Sequence, residues 1–457
     1  MTISLYQHQT VMVDSTRRAL ISTKQVILRA PTGCGKTIAA AFIIMSAIAK
    51  GSTVIFTVHR RELVKQSMDA FDACGIRYGV IAAGFSPTPH HKVQIASIET
   101  LKRRLGVVKC PSLLIIDECH HASAAGWTKV LKHFAEAHVV GLTATPWRLD
   151  GKGLGSLFGD IVHGPETKWL IDNKFLSPFR AFAPPMQDMS KVHTKMGDYD
   201  NKELEALMDK PKITGDAVEH YLKICPGKRA IAFATTVKHS EHIAESFNAS
   251  GVPARHIDGK MPHKDRDEAI RLFKNDEIKI LTNCNIISEG FDVPAMDAAI
   301  LLRPTQSLSL YLQQVGRALR HVEGKTAYIL DHAGNIKSHG LPTDVFDWSL
   351  NGREKKKGKK PEVAVKVCPK CYYAHAPNLL SCPACDWVYE SKRAKIQYAE
   401  GQLNEIDQEN WLRTGPYKKV IAAAKTRAEL EAIGKARGYK KGFAYRVLQE
   451  RAANAGS

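Results

Sequence analysis

Residues 25–49 read QVILRAPTGCGKTIAAAFIIMSAIA, and this stretch decides the fold of the N-terminal part of the chain. An apolar segment leads into a glycine-containing turn, and the apolar run Ile38 to Ala49 follows the turn. This order of strand, loop and helix is the one that a phosphate-binding loop requires. Gly33 and Gly35 allow a tight turn whose amides face phosphate oxygens, and the helix directs its positive N-terminal end to the same place.

The side chains of this loop predict nucleoside triphosphate chemistry. Thr32 lies in the turn, Lys36 is expected to hold the β- and γ-phosphates of ATP, and the Thr37 hydroxyl is expected to ligate Mg²⁺. Ala30 stands where the general motif has its first glycine, so the loop taken alone is also compatible with an ordinary strand-to-helix turn. The position of Gly-Lys-Thr at the strand-to-helix boundary favours the phosphate site.

A second apolar run, LLIIDECHH at residues 113–121, ends in two carboxylates. This pattern predicts a buried parallel strand that delivers acids to the carboxyl edge of a sheet. Asp117 is expected to complete the Mg²⁺ shell, and Glu118 to orient and deprotonate the attacking water. The alternative is a pair of acids that cap a surface strand, and the phosphate loop upstream argues against it.

From Leu5 to Arg320 the chain resembles the superfamily 2 helicases, because short segments occur in the order that this family has. These segments are TVHRRELVKQ (57–66), IASIETL (95–101), GLTATPWR (141–148), AIAFATTVKHSEHIAESF (230–247), HIDGKMP (256–262), ILTNCNIISEGFDVP (280–294) and QQVGRALR (313–320). Cys119 departs from the family's acidic motif at a position that varies within the superfamily, and it is not expected to alter hydrolysis.

The resemblance implies roles for further residues. Adenine recognition is expected of Tyr6 and Gln7, and ribose contact is expected of Gly290 and Asp292. Contact with the nucleic-acid strand is expected of five residues in the family's strand-gripping motifs: His59, Arg60, Thr143, Thr145 and Thr282.

The same resemblance places residues of the last motif across the cleft from the phosphate loop. His120 is expected to link the nucleotide to Gln313 across the cleft rather than to bind metal. Arg317 and Arg320 are three residues apart, so on a helix they share a face and reach one γ-phosphate together. Arginine suits this role because it stays charged and offers a planar fork to phosphate oxygens.

Strand-forming segments alternate with helical patterns over 26–330, which predicts an α/β fold with parallel sheets that bind ligands at the strand carboxyl ends. With the family resemblance, the expected architecture is two RecA-like parallel-sheet lobes in tandem, followed by a small zinc ribbon and a helical C-terminal tail. The predicted boundaries are 1–177 for the ATP-binding lobe, 178–212 for the interlobe connection, 213–350 for the second lobe, 351–362 for a basic linker, 363–392 for the ribbon and 393–457 for the basic tail.

Composition fits this architecture. At 457 residues with 44% hydrophobic content, the chain can fill two or three cores. No signal peptide opens the sequence, and the longest apolar run is too short to span a bilayer, so no membrane partner is expected. The predicted location is the cytoplasm of a bacterial cell or of a phage-infected host.

The formal charge of +19 is concentrated near the C-terminus, where residues 351–457 hold 22 Lys and Arg against 11 Asp and Glu. The run REKKKGKK at 353–360 is either a basic linker that lies along phosphates or only a solvated tether. Together with the motor motifs, the basic character predicts a nucleic-acid partner.

Two Cys-x-x-Cys pairs, Cys368 with Cys371 and Cys382 with Cys385, are separated by ten residues. Four thiolates at this spacing match a tetrahedral structural zinc site, with iron as the residual possibility. Disulfides are the alternative, but six further scattered cysteines do not resemble a secreted disulfide scaffold. His375 is an additional, unneeded candidate ligand. Four aromatic residues surround the knuckles and either stack on bases or pack around the metal: Tyr372, Tyr373, Trp387 and Tyr389.

The tail shows two helical stretches around GYKKGFAY at 438–445, which are either a small nucleic-acid module or a helix pair that docks on the motor. The combination of motor, Cys-x-x-Cys ribbon and Gly-Tyr-Lys tail resembles the bacterial and phage RadD-like, UvsW-related DNA helicases. It implies an ATP-dependent DNA helicase or translocase in replication, recombination or repair, with DNA favoured over RNA and single-strand-binding or replication and repair proteins as possible partners. An RNA helicase and an ATP-gated annealing scaffold stay open as alternatives.

Overall fold

The computed structural model describes residues 4–121, 124–148, 151–185, 192–195, 198–284, 296–352, 365–389 and 408–454. The chain divides into two compact units, 1–389 and 390–457. The first unit contains two parallel sheets and a small cysteine-bearing hairpin, and the second unit is helical. The predicted fold class is confirmed. Among the described residues, no helix combines the length and the apolar character that a membrane crossing needs.

The first lobe is built on seven parallel strands. In chain order they are β1 (Gln25–Arg29), β2 (Val54–Val58), β3 (Gly79–Ile81), β4 (Val93–Ser97), β5 (Leu113–Ile116), β6 (His138–Thr143) and β7 (Asp160–His163). Their order in the sheet is β3-β4-β2-β5-β6-β1-β7. The accompanying helices are α1 (Gln7–Ser22), α2 (Lys36–Ala49), α3 (Arg61–Ala73), α4 (Ile98–Arg104), α5 (Ala124–His133) and α6 (Thr167–Asp172).

The strand order places the predicted site. β5, β6 and β1 are neighbours, so the segments that follow them meet at one carboxyl edge of the sheet. The acid pair follows β5, Thr143 ends β6, and the phosphate loop follows β1. All four residues of β5 are buried, as expected for a central parallel strand covered by helices on both faces.

The second lobe has six parallel strands in the order β12-β13-β11-β14-β15-β8. In chain order, with one small hairpin, the strands are β8 (Phe179–Phe182), β9 (Thr194–Lys195), β10 (Asp198–Tyr199), β11 (Ala230–Phe233), β12 (Ala254–Ile257), β13 (Ile280–Asn283), β14 (Ala298–Leu301) and β15 (Ala327–Asp331). The helices are α7 (Asn201–Met208), α8 (Pro211–Ile224), α9 (Val237–Ala249), α10 (His263–Lys274), α11 (Leu308–Ala318) and α12 (Asn335–His339).

The segment predicted as an interlobe connection, 178–212, contributes structure to the second lobe. Its strand β8 pairs in parallel with β15 and forms one edge of the second sheet. A four-residue strand next to a proline carries too few residues to show a period, so the sequence pattern did not separate it from a connection. The chain therefore enters the second sheet directly after the first lobe.

The end of the second lobe returns to the first lobe. The Trp147 and Trp348 rings lie 4.7 Å apart, and the Trp147 indole N–H donates to the Ser349 carbonyl at 2.9 Å. The Arg29 guanidinium lies 4.7 Å from the centre of the Trp348 ring. These contacts tie residues that follow the second sheet to the carboxyl edge of the first.

The cysteine-bearing hairpin, β16 (Lys366–Val367) with β17 (Ala374–His375), packs on the free edge of the second sheet. Phe182 of β8 forms an antiparallel bridge with Tyr373, and their rings lie 5.5 Å apart. The Ala183 N–H donates to the Tyr372 carbonyl at 2.8 Å. The hairpin thus covers a sheet edge that would otherwise present unpaired backbone groups.

The helical unit consists of α13 (Gln408–Thr414), α14 (Tyr417–Ala423), α15 (Arg427–Ala436) and α16 (Phe443–Asn454). It has its own small core of seven buried residues: Val420, Ala424, Leu430, Ile433, Phe443, Ala444 and Val447. The basic run at 353–360 lies outside the described residues.

A buried histidine makes the second lobe sensitive to acid. His332 follows β15, stacks on His220 at 5.1 Å, and has its pKa lowered to about 3 by burial and then by His220. The unfolded chain binds a proton at this histidine below about pH 6.5, whereas the folded protein does not until near pH 3. The stabilising contribution is therefore fully present above pH 6.5 and is lost as pH falls, by up to about 1.4 kcal/mol per pH unit.

We expect the urea-unfolding free energy of the wild type to fall between pH 7 and pH 5, and His332→Gln to fall less steeply. The matched control is His133→Gln, which removes an exposed histidine at the end of α5 and should keep the wild-type slope. Equal slopes for all three proteins would contradict the assignment.

Candidate nucleotide and nucleic-acid site

A cavity of about 630 Å³ opens at the carboxyl edge of the first sheet, and residues of both lobes line it. Eight of the predicted site residues lie on its first-lobe wall: Tyr6, Thr32, Gly33, Gly35, Lys36, Thr37, Asp117 and Glu118. Three more come from the second lobe: Gln313, Arg317 and Arg320. Residues more than 300 positions apart in sequence are thus gathered around one space.

The phosphate loop has the geometry that the sequence predicts. The Lys36 ammonium at the start of α2 donates to the carbonyls of Ala30 at 2.9 Å and Pro31 at 3.2 Å. Gly35 has φ +89°, and a Cβ there would collide with the Gln9 amide. Only glycine combines this backbone conformation with this close approach. The loop therefore holds the lysine over the cavity at the positive end of α2.

The two carboxylates differ in their surroundings. The Glu118 N–H donates to Asp117 Oδ1 at 3.1 Å, and Glu118 itself adopts φ +47°, a left-handed conformation that is rare outside glycine. Burial, followed by the charge of Glu118, raises the pKa of Asp117 to about 7. The Lys36 charge opposes this rise, but one lysine beside two carboxylates leaves a deficit of positive charge.

This deficit fits a divalent cation next to the phosphate loop. Thr37 and Asp117 both line the cavity and offer the oxygen ligands that Mg²⁺ prefers. A bound Mg²⁺ would supply charge that neutralises phosphate oxygens and favours the ionised form of Asp117. Glu118 lines the same cavity.

His120 links the acid motif to the second lobe. Its Nε2 lies 3.2 Å from Gln313 Nε2, its Nδ1 lies 2.9 Å from Thr143 Oγ1, and Glu118 Oε2 is 3.3 Å from the same Nδ1. Burial is the largest of the causes that lower the pKa of His120 to about 3, so the ring is neutral at physiological pH. A neutral ring that accepts from the Gln313 amide must carry its proton on Nδ1 and donate to Thr143.

The chain of hydrogen bonds continues from there. The Thr143 hydroxyl donates to the Thr145 carbonyl at 2.8 Å, and the Thr145 hydroxyl donates to Ser309 Oγ at 2.6 Å. Ser309 and Gln313 lie one helical turn apart on α11, so the first lobe contacts this helix at two successive positions. The expected contact between His120 and Gln313 is present. Cys119 is completely buried and points towards Gly141 of the sheet, away from this network.

The arginine pair requires a correction. Both Arg317 and Arg320 line the cavity, but α11 ends at Ala318, so they do not share a helix face. Arg320 lies beyond the helix and forms an isolated bridge with Leu176. Its backbone is thereby fixed to the segment that joins the lobes, and the two guanidinium groups reach the cavity from different backbone elements.

The adenine-reading pair also differs from the prediction. Gln7 is exposed at the first turn of α1 and does not line the cavity, whereas Gln9 is buried and does. Gln9 Oε1 accepts from the Tyr6 N–H at 3.1 Å, and its amide donates to the Cys34 carbonyl at 3.3 Å. The first helical turn rotates Gln7 outward, because side chains two positions apart face different directions on a helix.

Aromatic residues that the sequence reasoning missed complete this end of the cavity. Phe175 lies 5.0 Å from the Tyr6 ring and 4.4 Å from the His8 ring, and all three residues line the cavity. Phe175 follows α6, about 140 residues after the phosphate loop, and no local motif marks it. His8 also contacts the phosphate loop, because its Nε2 lies 3.3 Å from the Cys34 carbonyl oxygen.

We expect Phe175→Ala to raise the KM for ATP about two- to tenfold while kcat changes little, because a ring contact with a base is worth roughly 0.5–1.5 kcal/mol. Steady-state ATP hydrolysis at varied ATP concentration measures both constants. The ring-preserving variant Phe175→Tyr should keep the wild-type KM. An unchanged KM in the alanine variant would remove Phe175 from the nucleotide site.

The predicted strand-contacting residues fall into two groups. His59 and Arg60 follow β2 at the carboxyl edge of the sheet, and the His59 ring stacks at 4.5 Å on His121, which lines the cavity. Their contact with nucleic acid stays a prediction.

The three predicted threonines do not face solvent. Thr143, Thr145 and Thr282 are all at most 1% exposed. The Thr282 hydroxyl donates to the Ser240 carbonyl at 2.7 Å and accepts from Ser240 Oγ at 2.9 Å. In this conformation the three hydroxyls serve internal networks, which corrects the prediction of direct strand contact. Gly290 and Asp292 lie outside the described residues.

The four cysteines of the ribbon converge. Their sulfur atoms all lie within 4.8 Å of one another, with 3.6 Å between Cys368 and Cys385 and 3.7 Å between Cys371 and Cys382. A tetrahedral zinc with Zn–S bonds of about 2.3 Å requires sulfur separations of about 3.8 Å, so the thiols fit that ion. His375 is not part of the cluster, because its ring nitrogens contact the Ala376 carbonyl and the Tyr389 hydroxyl.

The aromatic residues near the cysteines mainly pack. Tyr373 lies against Phe182, Tyr372 lies 5.9 Å from His220, and Tyr389 bonds to His375. Trp387 is 44% exposed. The first three therefore anchor the ribbon rather than present rings to solvent.

Two parallel-sheet lobes that face each other across a cavity with a phosphate loop, an acid pair and arginines define an ATP-hydrolysing motor. Residues 2–148 match the family model of the type III restriction enzyme res subunit, and residues 214–322 match the helicase conserved C-terminal domain. The chain belongs to the superfamily 2 helicases.

Individual relatives agree with this assignment. A 51.5 kDa protein of Lactococcus phage (isolate 7-9) is 37% identical over 84% of this chain and 82% of its own length. The DNA 3'-5' translocase XPB2 of Sulfurisphaera tokodaii is 25% identical over 66% of this chain and 76% of its own length. Among solved structures, the ATP-dependent Type ISP restriction-modification enzyme LlaBIII bound to DNA has a TM-score of 0.57 at 18% identity, over 72% of this chain and 28% of that one.

Proposed function

We propose that the protein is an ATP-dependent DNA helicase or translocase that acts in DNA replication, recombination or repair, of the RadD-like, UvsW-related kind, in a bacterial or phage-infected cell. The observation that carries the proposal is the hydrogen bond between His120 and Gln313 on α11, with Glu118 Oε2 3.3 Å from the same His120 ring. It joins the acid that would position water to the helix that carries Arg317. A change at the phosphates would therefore move one lobe relative to the other.

The chain's own residues account for each requirement of hydrolysis. Lys36 would bind the phosphates, Thr37 and Asp117 would hold Mg²⁺, and Glu118 would orient the attacking water and accept its proton. Arg317 and Arg320 would stabilise the charge that develops as the phosphoryl group departs. Gly290 and Asp292 are proposed to contact the ribose.

DNA is favoured because the similar proteins include one named as a DNA translocase and one solved bound to DNA. Proteins that bind single strands or that act in replication and repair are the proposed protein partners. The test is steady-state ATP hydrolysis at one low salt concentration with single-stranded DNA, duplex DNA, branched DNA or single-stranded RNA. Stimulation by DNA but not RNA supports the proposal. Equal or greater stimulation by RNA supports an RNA helicase, and indifference to every nucleic acid supports a gated scaffold.

We further propose that the four cysteines bind one zinc ion that folds the ribbon. We expect Cys382→Ser to lose the metal and the ribbon structure, because the hairpin has little apolar core of its own. Basal ATP hydrolysis should stay within about twofold, since the ribbon contacts β8, whose residues do not line the cavity.

Metal content per chain and basal turnover measure the two outcomes. Cys110→Ser is the matched control, because Cys110 is an exposed cysteine of the first lobe outside the cluster. Retention of a full equivalent of zinc in Cys382→Ser would contradict the site. Loss of turnover would make the ribbon part of the motor.

A further inference from the structure

The helical unit carries more basic residues than its own hydrogen bonds and ion pairs use. Residues 408–454 hold 11 Lys and Arg against 4 Asp and Glu. Two of the arginines are structural. Arg437 Nε donates to the Leu412 carbonyl at 2.7 Å, and Arg451 donates to the carbonyls of Ala424 at 2.9 Å and Ile421 at 2.6 Å. They satisfy backbone carbonyls where helices end.

The acidic residues of α15 are also occupied. Glu429 accepts from the backbone N–H groups of Lys425 and Thr426 and completes a capping box. Glu431 pairs with Arg427 at 2.8 Å. The exposed lysines that remain are therefore not neutralised by these acids.

Two tyrosines lie next to those lysines on the surface. The Tyr417 and Tyr439 rings are 6.5 Å apart and are 47% and 40% exposed. Tyr439 packs on Phe443 at 4.7 Å, so one side of its ring is anchored on the unit's core while the rest stays open. The apolar faces of these two rings thus remain exposed to water, although packing could have buried them.

The backbone fixes this arrangement. Gly438 has φ +68° and Gly442 has φ +102°, so the turn between α15 and α16 is bounded by two residues in conformations that favour glycine. The turn carries Tyr439, Lys440 and Lys441 outward, and both lysines are exposed. Lys418, next to Tyr417 at the start of α14, is exposed as well.

We propose that Tyr417, Tyr439, Lys418, Lys440 and Lys441, hereafter the tyrosine–lysine surface, bind single-stranded nucleic acid. Bases would stack on the two rings, and the lysines would contact the flanking phosphates. Aromatic rings interleaved with exposed cations are the combination that binds single strands without sequence preference. Inside a duplex the bases are stacked on one another and the grooves offer only base edges, so the rings find no free base face there. The inference rests on the proposed function for its ligand class and adds a second contact outside the motor lobes.

The test is fluorescence anisotropy of the full chain without nucleotide, with labelled oligodeoxythymidine of 20 units, an abasic strand of the same length and charge, and a blunt duplex, each over a salt series. We expect Tyr417→Ala/Tyr439→Ala to weaken binding of the base-bearing strand at least about tenfold. Binding of the abasic strand and of the duplex should not change. Tyr417→Phe/Tyr439→Phe keeps both rings and should bind like the wild type.

The lysines are tested by the salt dependence. Lys440→Ala/Lys441→Ala should reduce the slope of log affinity against log salt by about 1.4 for a single strand, whereas the tyrosine variant should keep the slope. Lys425→Ala/Arg427→Ala removes the same charge from another exposed part of the unit and is the matched control. Its slope should stay near the wild-type value.

Equal affinity of the wild type and the double alanine tyrosine variant for the base-bearing strand would overturn the inference, as would an equal loss on the abasic strand. A phenylalanine variant that binds as weakly as the alanine variant would also overturn it, since the rings would then not be the contact. The outcome is independent of ATP turnover. Failure of nucleic acids to stimulate the wild-type ATPase would reject the proposed function alone.

Discussion

Lys36→Ala is expected to reduce ATP turnover by at least about 100-fold, because removal of a preorganised cation from a phosphoryl-transfer site costs roughly 10²–10³ in rate. The Lys36 ammonium donates to the carbonyls of Ala30 and Pro31, which hold it within the phosphate loop. The alanine variant therefore loses the cation that α2 places in the cavity wall.

Steady-state phosphate release measures this effect. The matched control is Lys50→Ala, which removes an exposed lysine at the opposite end of the same helix and should turn over like the wild type. A Lys36→Ala protein that is folded and hydrolyses ATP normally would place the nucleotide elsewhere. A loss of less than about tenfold would contradict a lysine that contacts the transferred phosphate.

The second large effect concerns the other side of the cleft. Arg317→Ala should lower kcat by about 10³ while ATP binding changes little, because an arginine finger acts on charge that develops only in the transition state. Arg317 is 8% exposed and lies on α11, the helix that contacts His120 through Gln313. Arg317→Lys should recover only part of the rate, since an ammonium lacks the planar fork.

Single-turnover hydrolysis together with nucleotide affinity separates these contributions. Arg255→Ala on β12, an exposed arginine of the same lobe, is the control and should behave like the wild type. If Arg317→Ala weakens ATP binding and leaves the chemical step unchanged, the residue is only a binding contact. If neither changes, the second lobe does not complete the site.

The local motifs predicted much of this site because each one lies within a single strand, loop and helix. Lys36 and Thr37 follow from the loop sequence, and Asp117 and Glu118 follow from a buried strand that must end at the sheet edge. The His120 to Gln313 contact followed from the family resemblance. Physical constraints that act over a few residues are readable in the sequence.

The parts that the sequence did not show depend on contacts between distant segments. Phe175 lies at the cavity because the segment that joins the two lobes runs past the cavity. Arg320 is placed by its bridge to Leu176. The orientation of the first turn of α1 decides between Gln7 and Gln9. Burial of the Thr282 hydroxyl depends on its bond to Ser240 of a neighbouring helix. None of these features leaves a periodic pattern.

We propose that ATP hydrolysis in the interlobe cavity drives strand separation. The most direct measurement is displacement of a fluorescent strand from a partial DNA duplex by the wild type and by Glu118→Gln, with and without ATP. We expect displacement only by the wild type and only with ATP, because Glu118 would activate the water and the His120–Gln313 contact would transmit closure. Hydrolysis of ATP by the wild type without any displacement, or displacement by Glu118→Gln equal to that of the wild type, would contradict it.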